Sequence, residues 1–115
     1  MLAWLSRLFG QSPPEPTWLE VPELRTRLAS GAQPLVLDVR NPDEFEGPLG
    51  HIEGARNIPL PELGARTGEL APTQSPIVVV CLTDKRSSQA AANLTAAGFR
   101  NVSVLRGGMK AWRGS

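Results

Sequence analysis

The stretch Pro76-Ile77-Val78-Val79-Val80-Cys81-Leu82-Thr83-Asp84-Lys85-Arg86-Ser87 decides how this chain is read. Its first half is an unbroken apolar run rich in β-branched residues. That run is too continuous for a strand with one face in water, and is the pattern of a strand covered on both faces. Its second half is polar and basic, and it leads into a helical pattern from about Ser87 to Ala97. There Ala91, Leu94 and Ala97 recur at helical spacing and Gly98 stops the run. The only cysteine of the chain stands at the junction of the two halves. In open α/β sheets ligands bind beyond the carboxyl ends of the strands, which is where this pattern places Cys81.

Outward from this stretch the same alternation continues. Leu35-Val36-Leu37-Asp38-Val39 and Val102 to Leu105 read as two more buried strands, and Ala55 to Ile58 as a short extended segment closed by Pro59. Pro22 suits the first turn of a helix that carries Leu24 and Leu28 and ends at Gly31. Pro42 to Phe45 reads as one helical turn, broken by Gly47-Pro48-Leu49-Gly50, and Gly107-Gly108 opens a last helix with Met109 and Trp112. Strands alternating with helices, each strand continuously apolar, predict an α/β domain built on a parallel sheet. This domain is expected over residues 17–115, after a Pro-rich linker at 11–16 and a short amphipathic arm at 1–10.

Composition narrows the function. With 115 residues, 41% apolar and 20% charged, the chain has the make-up of one folded domain with a modest core. Twelve Lys and Arg against eleven Asp and Glu leave a net charge of +1. A nucleic-acid binder needs a basic excess to displace counterions, so that class is not expected. A single cysteine cannot form an intrachain disulfide and fits a reducing, cytoplasmic setting. One cysteine and one histidine fall short of a zinc site, and neither a metal nor a cofactor is expected. No stretch approaches the roughly 20 apolar residues of a membrane span. Met1 to Phe9 lacks the basic leader and cleavage site of a secretory signal.

The arm carries Leu2, Trp4, Leu5, Leu8 and Phe9 on one helical face. Burying these would contribute about 8–15 kcal/mol, against about 9–18 kcal/mol of backbone entropy for ordering the segment. The arm is therefore expected to order only against an apolar partner: its own domain, a second copy in a dimer, or a membrane surface.

At Cys81 two readings compete. A free cysteine is most often a small buried hydrophobe. A tight loop into a helix N-terminus, however, turns backbone N–H groups toward an anion, and these amides, the helix dipole, Lys85 and Arg86 would all favour thiolate over thiol. The same groups would hold an anionic substrate. His51, the only histidine, lies far off in sequence, and nothing in the sequence places it beside Cys81.

The chain resembles rhodanese-like domains. Leu37-Asp38-Val39-Arg40, Glu44-Phe45 and Gly50-His51-Ile52-Glu53-Gly54-Ala55-Arg56-Asn57-Ile58-Pro59 are similar to the family's signature. Cys81 with Arg86 and Ser87 is similar to its active-site loop, and Leu105-Arg106-Gly107-Gly108-Met109-Lys110-Ala111-Trp112 to its C-terminal motif. The resemblance covers about residues 17 to 113 and implies a three-layer domain, with a mostly parallel five-stranded sheet flanked by helices. It implies a single-domain sulfurtransferase, in which Cys81 takes a sulfane sulfur as a persulfide and passes it to a thiophilic acceptor. Leu82, Thr83, Asp84, Lys85, Arg86 and Ser87 would bind the donor. The partners implied are a small anionic sulfur donor, such as thiosulfate or a persulfide, and a thiol, cyanide or protein acceptor. Cys81 to Arg86 is the six-residue loop of the sulfurtransferases, where the related phosphatases carry seven. A non-catalytic sulfur-carrier or binding module, and a phosphatase or arsenate reductase, are the rival readings.

Within the resemblance, Asp38, Arg40, Glu44 and His51 are expected to be scaffold near the site, with Arg40 paired to Glu44 and His51 orienting a turn. Asp84 departs from the glycine common at its position in the family. Glycine there would ease a left-handed backbone. The Asp84 carboxylate either opposes Lys85 and Arg86, weakening thiosulfate most, or faces outward to Lys85 and water.

Overall fold

The computed structural model describes residues 15–32, 34–70 and 75–115. Its sheet has five strands: β1 (Trp18–Leu19), β2 (Leu35–Asp38), β3 (Arg56–Asn57), β4 (Ile77–Val80) and β5 (Val102–Leu105). They lie in the order β1-β5-β4-β2-β3, and every neighbouring pair is parallel. The strand read from the sequence as most deeply buried is the central one. The helices are α1 (Val21–Ala29), α2 (Pro42–Phe45), α3 (Leu60–Arg66), α4 (Lys85–Ala96) and α5 (Gly108–Gly114), with a 3-10 turn at Thr67–Glu69.

Side chains alternate across a strand, and β4 shows why its sequence has no polar position. Ile77, Val79 and Cys81 enter one buried cluster, with Leu63 of α3 and Ala90, Ala91 and Leu94 of α4. Val78 and Val80 enter the other, with Leu24 of α1 and Met109 and Trp112 of α5. Both faces are covered by helices, and the result is the α/β three-layer arrangement expected. The alternation also assigns Cys81 to the α4 side of the sheet.

Several boundaries differ from expectation. The helix after Cys81 begins at Lys85 instead of Ser87, with Asp84 at its N-cap and no side-chain capping bond to mark the start. β1 and α3 had no clear signature. β1 is two residues long, and α3 contains Pro61 and Gly64, which lower its helical propensity. Just ahead of β1, the Val104 N–H donates to the Thr17 carbonyl at 2.8 Å. The arm at 1–10 and the linker up to residue 14 lie outside the described residues. Among the described residues, no helix is long and apolar enough to cross a membrane.

Candidate active site

Cys81 follows the last residue of β4, and three residues separate it from α4. Cys81 is 1% exposed, and its Sγ lies 3.3 Å from the Oγ of Ser87, itself fully buried. The first N–H groups of a helix have no partner inside it. The first helical bond here is from Ser88 N–H to the Asp84 carbonyl. Among the described residues, the N–H groups of Leu82, Thr83, Asp84, Lys85, Arg86 and Ser87 have no backbone acceptor. A run of amides with no backbone acceptor thus adjoins the cysteine, an arrangement that favours an anion.

The C-terminal motif holds the other side of this loop. The N–H groups of Met109 and Lys110, in the first turn of α5, donate to the Cys81 and Leu82 carbonyls at 2.9 and 3.1 Å. Gly107 and Gly108 both have positive φ, 79° and 57°. A Cβ on Gly108 would fall on the carbonyl oxygens of Thr83 and Cys81. The Gly-Gly pair lets α5 approach the loop closely enough to tie off two of its carbonyls. The sequence places this pair at a helix start and within the C-terminal motif. Its contact with the loop had no local signal beyond the two adjacent glycines.

The charged residues pair differently from expectation. Arg40 was expected to pair with Glu44; its ion pair is instead with Asp38. Its Nε lies 3.0 and 3.1 Å from the two Asp38 carboxylate oxygens, and one terminal nitrogen is 2.7 Å from Oδ2. Arg40 reaches Glu44 only at the backbone carbonyl, at 3.1 Å, and also donates to the Gly50 carbonyl at 2.7 Å. The reason is spacing: residues two apart at a strand exit share a face, and a buried guanidinium needs its nearest carboxylate. Asn57 Nδ2 adds bonds to the carbonyls of Asp38 and Arg40 at 3.0 and 2.8 Å. This cluster fixes the end of β2 beside the cysteine strand.

The Glu44 carboxylate faces Arg86, in the first turn of α4. Their oxygens and terminal nitrogens form two parallel bonds of 2.7 and 2.9 Å. Glu44 also accepts the Asn41 N–H at 3.1 Å, as part of the capping box of α2. The Arg86 bond foremost, opposed by partial burial and aided by Asn41, pulls the Glu44 carboxyl from 4.5 down to about 2. Glu44 in turn raises the Arg86 guanidinium further above its ordinary range, with Cys81 and Asp38 as lesser contributors.

His51 packs against Phe45, the last residue of α2. Its Nδ1 lies 2.9 Å from the Phe45 carbonyl, which makes it the donor, and its ring stacks on the Phe45 ring at 3.6 Å. Neither contact is with Cys81. Asp84 has φ −150° and ψ 5°, so its backbone is not left-handed and glycine would relieve no such strain. It lines a surface groove along α4 with Trp18, Lys85, Ser88 and Gln89. Among the described residues it forms no ion pair with Lys85 or Arg86.

Residues 20–115 match the family described as "Rhodanese-like domain". The chain is 46% identical over 79 residues to the uncharacterized protein YqhL of Bacillus subtilis, across 69% of this chain and 60% of YqhL. It is 37% identical to the thiosulfate sulfurtransferase GlpE of Pseudomonas aeruginosa, across 79% of this chain and 78% of GlpE. It is also 37% identical to the putative sulfur carrier protein YrkF of B. subtilis, across 69% of this chain and 41% of YrkF. The chain thus spans under two thirds of the length of two of these relatives. Among solved structures, the rhodanese-like domain of an Anabaena protein superposes with a TM-score of 0.75 at 34% identity, covering 88% of this chain and 75% of that one.

Proposed function

The chain belongs to the rhodanese-like domain family, and from that membership we propose that it is a sulfurtransferase whose sulfur carrier is Cys81. The observation that carries this reading is the cysteine at the end of the central strand beside a run of amides with no backbone acceptor. In the proposed step the Cys81 thiolate attacks the outer sulfur of a donor such as thiosulfate or a persulfide. A new S–S bond forms and the donor's S–S bond breaks, its electron pair leaving on sulfite or on a thiolate. The amides from Leu82 to Ser87 hold the donor's anionic end and then the terminal sulfur of the Cys81 persulfide. Lys85 adds positive potential, and Arg86, its charge offset by Glu44, adds only the N–H donors that Glu44 leaves free. A thiol, cyanide or a protein acceptor then attacks the outer sulfur, and Cys81 departs as thiolate. The chemistry needs Cys81 reduced, which fits the cytoplasm.

Incubation with a sulfane donor followed by intact mass measurement tests the reading. The expected result is a gain of one sulfur atom that an acceptor thiol removes and that Cys81→Ser does not show. Sulfur that loads but is never passed on catalytically would favour a carrier module. Absence of any adduct, with phosphate released from an aryl phosphate, would favour the phosphatase reading.

A further inference from the structure

Near the cysteine, both arginines that face a carboxylate are paired: Asp38 faces Arg40 and Glu44 faces Arg86. The Arg86 pair differs from a rim contact because both terminal nitrogens of the guanidinium are taken end-on by the two Glu44 oxygens. That fork is the surface with which arginine grips a tetrahedral or planar anion. With it occupied, an incoming donor meets the loop amides, but not the net charge of Arg86.

Resting on the sulfurtransferase reading above, we propose that Glu44 is a positioning residue that sets donor specificity. By clamping Arg86 it turns the site toward sulfane donors with one negative charge, persulfides and thiosulfonates, and away from dianionic thiosulfate. A change in local charge shifts the binding energy of each donor in proportion to that donor's own charge. Removing the Glu44 charge should therefore favour the dianion by the square of the factor gained by the monoanion. The clamp also joins α2 to the first turn of α4 across 42 positions of sequence, so it holds the loop as well as tuning it.

The test compares thiosulfate with methanethiosulfonate, which replaces one charged oxygen by methyl and keeps the same sulfane chemistry. In both, Cys81 gains the outer sulfur, and the electron pair leaves on sulfite or on methanesulfinate. Glu44→Gln, which keeps the shape and an acceptor oxygen, should raise kcat/KM about tenfold for thiosulfate and about threefold for methanethiosulfonate, mainly through KM. The gain should shrink as salt is added. Glu44→Asp keeps the charge and should hold the wild-type ratio of the two donors, whatever it does to the rates. Glu44→Gln combined with Arg86→Gln cancels both charges and should return the ratio toward wild type. Equal gains or equal losses for both donors in Glu44→Gln would overturn the proposal and leave the pair a structural strut. So would a donor ratio in Glu44→Asp that moves as far as in Glu44→Gln. Sulfur loading of the wild type with an unmoved ratio overturns only this inference. A wild type that takes sulfur from neither donor overturns the sulfurtransferase reading and this one together.

Discussion

Two arginine–carboxylate pairs meet at Glu44, whose backbone carbonyl accepts from Arg40 and whose carboxylate holds Arg86, and their surroundings differ. Arg40 and Asp38 are 2% and 1% exposed, and the pair is completed by the carbonyls of Glu44 and Gly50. Arg86 and Glu44 are 33% and 29% exposed, reached by solvent, and attach to elements 42 positions apart. A buried pair cannot lose one partner without stranding a charge in a poorly polarisable interior. A half-exposed pair can, because water takes over. The first pair is scaffold, and the second is free to be tuned.

The largest effect should come from breaking the buried pair. Arg40→Met leaves Asp38 buried and unpaired, and should lower unfolding free energy by about 3–5 kcal/mol in denaturant titrations. A loss below about 1 kcal/mol would show that solvent reaches Asp38 and that the two pairs are alike. Next, Gly108→Ala combines a left-handed backbone with a Cβ driven onto the Thr83 and Cys81 carbonyls. It should cost about 2–4 kcal/mol and slow sulfur loading at Cys81 tenfold or more, on the order expected when a reacting group is displaced. An unchanged loading rate would mean that the α5 contact does not set the loop.

Smaller still is the stability effect of Glu44→Gln, about 0–1 kcal/mol after allowance for solvent screening. Its pH dependence sharpens the comparison. The Glu44 carboxyl is lowered in the folded state from 4.5 to about 2, so the pair's contribution is present above 4.5 and is lost as pH falls toward 2. The stability difference between wild type and Glu44→Gln should be constant at neutral pH and close across that window. A difference that changes near neutrality would assign the effect to another group. The smallest effect belongs to Asp84→Gly. With no left-handed strain to relieve, only charge changes, and kcat/KM for thiosulfate should rise by at most about threefold and fade with salt. Equal gains for methanethiosulfonate would point to a loosened loop.

Much of this architecture was legible because its signals are local. An apolar run with no polar position reports a strand covered on both faces, as β4 and the Leu35–Asp38 strand are. The run from Pro42 to Phe45 reports one helical turn, and α2 is one. β1 left no trace because two residues carry no period, and α3 because Pro61 and Gly64 mask its spacing. The start of α4 was misplaced because no side chain caps it.

The sequence by itself determined the layers, the central strand and the position of the single cysteine at its end. Hydrophobic period and turn chemistry act over a few residues and are written where they act. Only the tertiary structure decided which carboxylate answers which arginine, and that α5 ties off the carbonyls of the cysteine loop. Arg40 lies four positions from Glu44 and pairs with Asp38, while Arg86 lies 42 away from Glu44 and takes its carboxylate. Ionic partners are chosen by burial and by the packing of whole elements, which no local pattern encodes.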